Sequence, residues 1–76
     1  MIPFKTTPEQ KSNLLLIVSE MRAAKVNTVF IKDMFELACI DQGIYDLMEM
    51  WSVAKNDSTE QAEILTDLAY AVRDYD

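Results

Sequence analysis

A single glycine and two prolines in 76 residues leave this chain few places to turn. An all-β fold of short strands needs turn residues roughly every 8–12 positions. The scarcity therefore predicts an all-α domain, a compact bundle of about four short helices. A chain this size holds one core and buries only about 60% of its unfolded surface, so it reads as a single domain over 1–76 with an N-terminal arm at 1–6.

Thr7-Pro8-Glu9-Gln10 reads as a helix start: a hydroxyl for the third amide, proline at the first helical position and glutamine able to reach back. The first helix is expected over 8–24, with Leu14, Ile17, Val18, Met21 and Ala24 inward by 3.6 periodicity. Asn27-Thr28 breaks the pattern, with Thr28 a candidate cap for a second helix over 28–41. The alternative for 26–31 is a strand, since the stretch is rich in β-branched residues. Asp33-Met34-Phe35-Glu36 is a rival capping box that would delay this helix. Phe30, Ile31, Met34, Phe35, Leu37, Ala38 and Cys39 cover more than half its circumference, which predicts a central, buried helix. Asp41-Gln42-Gly43 supplies a cap or tight turn before a third helix over 42–55, with Ile44, Leu47, Met48, Trp51 and Ala54 inward. Ser58-Thr59-Glu60-Gln61 repeats the logic of the first cap and opens a fourth helix over 59–74, burying Ile64, Leu65, Leu68, Val72 and Tyr75.

Charge is segregated along the chain. Residues 1–32 hold five basic and two acidic side chains, for +3, whereas residues 33–76 hold eleven acids against Lys55 and Arg73, for −9; the total is −6. At 100° per residue Glu60, Glu63, Asp67 and Asp74 fall within about 60° of one another and form one acidic ridge, bordered by Tyr70. Asp46 and Glu49 lie about one turn apart on the third helix. Solubility alone is one explanation, and the helix N-terminus favours Glu60 and Glu63 in any case. The sharper explanation is a face for a basic partner, carboxylates in a row presenting the spaced negative charge of a nucleic-acid backbone. Leu16, Met50 and Val53 lie off the core stripes and add apolar surface beyond folding's needs. Met21, Met34 and Met48 have core spacing.

The chemistry of catalysis is thin. There is no histidine, so Ser or Cys nucleophiles lack their usual base, and Cys39 between Ala38 and Ile40 reads as an inert core thiol. One cysteine also precludes an internal disulfide, and without histidine the common zinc ligands are missing. The carboxylate pairs Asp33/Glu36, Asp46/Glu49 and Glu60/Glu63 read as solvated helix faces. Gly43 alone cannot build a phosphate loop, and Asp57-Ser58-Thr59-Glu60 lacks calcium-loop spacing. Residues 35–52 resemble a helix-turn-helix at Cys39 and Gly43, but the second helix would offer Tyr45, Asp46 and Glu49 to DNA, with no basic residue before Lys55. No apolar run exceeds Leu14–Val18, and Met1-Ile2-Pro3-Phe4-Lys5 lacks a signal-peptide layout, so the expectation is a soluble, cytoplasmic protein without membrane or direct nucleic-acid binding.

In size, acidity and lack of catalytic groups the chain is similar to small inhibitor and adaptor proteins, many of them phage-encoded, that occupy another protein's surface. The expected function is a non-enzymatic, cofactor-free binding module that inhibits or modulates a basic or nucleic-acid-handling protein. Its expected contacts are Asp46, Glu49, Met50, Val53, Glu60, Glu63, Asp67 and Tyr70. The alternative is a self-associating structural module, a homodimer paired through the second helix and Leu16 with the +3 half of one copy against the −9 half of the other.

Overall fold

Thr7 opens the first helix as its residue type predicts. Its hydroxyl accepts from the Gln10 amide at 3.1 Å and the Gln10 side-chain carbonyl accepts from the Thr7 amide at 2.9 Å, closing a capping box with Pro8 at the first position. In the computed structural model, which describes residues 3–75, the chain runs α1 (Pro8–Ala23), α2 (Thr28–Ala38), α3 (Gln42–Val53) and α4 (Ser58–Arg73). Met1 and Ile2 of the expected arm, and Asp76, lie outside the described residues. No helix in the described residues is long and apolar enough to cross a membrane.

Asp41 caps α3 as expected, whereas the caps of α2 and α4 differ from the expected ones. Residues 28–31 are helical, not a strand, and the cap is Asn27 rather than Thr28: the Asn27 side-chain oxygen accepts from the Phe30 amide at 3.1 Å. Helix α2 runs through Asp33-Met34-Phe35-Glu36, so no second box delays it. It stops at Ala38, short of 41, because Asp41 is extended and accepts from the Ile44 amide to begin α3. At α4 the cap is Asp57 instead of Ser58, accepting from the Glu60 amide at 3.0 Å. An Asx oxygen one residue upstream competes well with a hydroxyl for the same amides, and a carboxylate gains from the helix dipole besides.

Helix α1 ends differently. Lys25 takes φ 65, its amide bonds to the Arg22 carbonyl, and the Val26 amide bonds to the Met21 carbonyl, the paired arrangement of a Schellman turn. Ala24, expected inward, is the exposed cap of that turn, and Val26 packs against the core beyond it.

All four helices feed one core. Leu14, Ile17, Val18 and Met21 of α1 meet Ile31, Met34 and Ala38 of α2, Ile44, Tyr45, Met48 and Trp51 of α3, Ala54 just beyond α3, and Ile64 and Leu68 of α4. Each fully buried aliphatic side chain favours folding by about 1.5–3 kcal/mol before its entropy cost. Leu47, Leu65 and Val72, expected inward, are only half-buried against this core. Helix α2 is less enclosed than expected: Phe30, Phe35, Leu37 and Cys39 are half-buried, so the Cys39 thiol lies at the core's edge. Centrality is shared, since α2 and α3 each pack on all three other helices while α1 and α4 do not meet. The arm is tied down as well: the Thr6 amide bonds to the Cys39 carbonyl at 3.1 Å and the Phe4 ring tilts against Tyr45 with centroids 6.2 Å apart.

The far end of α4 returns to the start of α3. Tyr75 is exposed rather than buried, and its hydroxyl donates to the Asp41 carboxylate. That bond, with the Ile44 amide, holds the Asp41 carboxyl below its usual range and raises the Tyr75 phenol above its own.

Candidate protein-binding face

The outer side of α3 is set by its inner side. With Ile44, Met48 and Trp51 committed to the core, 3.6 periodicity turns Asp46, Met50 and Val53 outward, and Met50 and Val53 are 50% and 84% exposed. Three tertiary bonds fix how the neighbouring helices meet this side. The Gln61 side-chain amide donates to the Trp51 carbonyl at 3.0 Å, pinning the first turn of α4 to α3. The Asn13 side-chain amide donates to Glu49 at 3.2 Å and to the Tyr45 hydroxyl at 3.3 Å, pinning α1 to the other flank. Asp57 capping α4 then presents Glu60 toward α3, and an open depression of about 490 Å³ forms, lined by Asp46, Glu49, Met50, Val53, Ala54 and Glu60. Its apolar residues are flanked by three carboxylates.

This depression gathers part of the expected contact set and not the rest. Glu63 and Asp67 are exposed and continue the Glu60 stripe along α4, outside the depression. Tyr70 is 62% exposed but belongs to a separate surface with Leu65, Thr66, Ala69 and Arg73. Leu16 is 67% exposed and sits across Glu49 in an adjoining depression with Glu9, Asn13 and Tyr45, to which α2 contributes nothing. Leu16 and α2 thus do not share this depression. Comparison with protein-family models, curated proteins and solved structures finds no match.

The chemistry of this face is acidic and apolar. Among the described residues the carboxylates that accept side-chain bonds take them from neutral donors: Glu20 from Ser52 at 2.6 Å, Glu49 from Asn13, Asp41 from Tyr75. No lysine or arginine side chain donates to a carboxylate among the described residues. Lys55, the nearest basic residue in sequence, lines a different hollow with Glu20, Trp51 and Gln61. No cluster of three or more metal-ligating side chains occurs among the described residues. Tyr45, which a DNA-reading third helix would have turned outward, is 5% exposed and held between Phe4 and Asn13. Sequence reasoning missed that Glu9 and Leu16 of α1 border Glu49; the off-stripe position of Leu16 was the available signal.

Proposed function

We propose that this chain is a non-enzymatic binding module, an inhibitor or modulator that engages a basic, nucleic-acid-handling protein through the outer side of α3 and the start of α4. The observation that carries the reading is the depression itself. Two exposed large apolar side chains, Met50 and Val53, lie among Asp46, Glu49 and Glu60 without a basic residue in its lining. Exposed apolar residues within a polar rim are the usual makings of a protein interface, with the apolar centre supplying affinity and the rim charge supplying steering and register. Glu63 and Asp67 extend the negative row along α4 and would meet further basic side chains or take the place of backbone phosphates.

The test is affinity capture from lysate of the source cell at low and high salt, with wild type beside Val53→Asp/Glu60→Lys. The expected result is a basic protein held by wild type at low salt, released at high salt and not captured by the variant. Recovery of the same proteins by both would overturn the reading. A second variant, Glu63→Lys/Asp67→Lys, measures the ridge: unchanged affinity for the captured protein at low salt removes the nucleic-acid-like row from the interface.

A further inference from the structure

We infer that the acidic–apolar depression on α3 also receives the basic stripe of α1 from a second copy of this chain, in a head-to-tail contact. The inference rests on the binding face proposed above and names an occupant for it.

Helix α1 carries the chemical complement of that face. Lys11, Leu15 and Arg22 fall within about 40° of one another at 100° per residue, and Lys11 and Arg22 stand about 16 Å apart along the axis. All three are exposed, Leu15 at 57%, on the flank away from the Asn13 and Glu20 bonds to α3. The stripe therefore offers an apolar side chain between two cations, and the depression offers Met50 and Val53 between Asp46 and Glu60. Among the described residues Lys11 and Arg22 donate to no carboxylate, so the stripe faces outward with its charge uncompensated there. No residue belongs to both surfaces, so each copy presents a donor stripe and an acceptor depression at once. Such a contact is heterologous: it repeats from copy to copy until it closes into a ring or is capped. The charges on both sides make it weaken as salt is added.

Light scattering and sedimentation of the full chain test this. In about 0.02 M salt the mean mass should climb above the 8.7 kDa monomer as concentration rises, and it should return to the monomer in about 0.5 M salt. Leu15→Glu spoils the stripe and Val53→Glu spoils the depression, both at exposed positions where helix content by circular dichroism should be unchanged. Each variant alone should stay monomeric. Mixed in equal amounts they should form a 1:1 dimer, about twice the mass of either, that does not grow, because only one native stripe and one native depression remain to meet. A wild-type mass constant at all concentrations in low salt overturns the inference. So does association that either variant leaves intact, or a mixture that stays monomeric. A monomeric wild type that still captures a foreign basic protein through Val53 would discard the self-contact and leave the binding face standing.

Discussion

Met48 and Met50 sit two residues apart on α3 and meet opposite surroundings. Met48 is fully enclosed by the core, whereas Met50 is half exposed in a depression flanked by carboxylates. The same holds for Trp51 against Val53, at 3% and 84% exposed. Nothing in the side chains themselves makes this difference; it comes from which side of the helix the neighbours occupy. One side of α3 is closed by α1, α2 and α4, and the other presents similar apolar matter in an open depression. The inner side holds the chain together, and the outer side is free to serve something else.

The largest effect expected from this contrast is at Met48. Met48→Ala should lower stability by about 2–5 kcal/mol in urea denaturation, through lost transfer energy and the cavity left behind. Met50→Ala, chemically the same change, should move stability by no more than about 0.5 kcal/mol while weakening capture of the basic target. Equal destabilisation by both would erase the distinction. Next comes the cap that aims Glu60: Asp57→Ala should cost about 1 kcal/mol of thermal stability and weaken target capture as well, because the first turn of α4 forms one wall of the depression. A change touching neither side of α3 sharpens the comparison from the other direction. Lys25→Gly relieves a left-handed residue at the end of α1 and should raise stability by about 0.5 kcal/mol, after the entropy cost of glycine, without altering capture.

The smallest effect lies at the start of α3, where Tyr75 and Asp41 meet. The Asp41 carboxyl is depressed when folded, so its contribution is present above the ordinary carboxylate value and is lost as pH falls through the folded one. The Tyr75 phenol is raised, so its contribution is present below the ordinary tyrosine value and is lost as pH rises through the folded one. Tyr75→Phe should slightly lower the denaturation midpoint around neutral pH, where both contributions are present, and leave the strongly acid and strongly alkaline ends nearly unchanged, so that the pH profile flattens.

Much of the architecture was legible because it depends on near neighbours in sequence. The Thr7–Gln10 box, the scarcity of glycine and the spacing of Leu14, Ile17 and Met21 are local properties, and the helices and the heart of the core follow them. The errors at Thr28 and Ser58 were also local, each made by overlooking an Asx residue one place upstream. Other features were illegible for a different reason. The burial of Tyr45 requires Phe4 and Asn13, from distant parts of the chain, to arrive beside it. The separation of Tyr70 from the Met50 depression depends on where α4 crosses α3, which no pattern within either helix specifies. Asp46, Met50, Val53 and Glu60 were within reach because periodicity says what faces outward. That Glu60 would join the other three was settled by Gln61 bonding to the Trp51 carbonyl.

Trp51 has an optical consequence. It is the chain's one tryptophan, it is 3% exposed, and its indole N–H is buried without a hydrogen-bond partner among the described residues. An indole so shielded emits toward the blue, and its spectrum moves to the red once water reaches it. The ring lies on the inward side of α3, away from the Met50 and Val53 depression, in whose lining it takes no part. Fluorescence of the native protein therefore reports loss of the core and stays largely silent when a partner settles on the outer side, so one unlabelled sample can separate unfolding from binding.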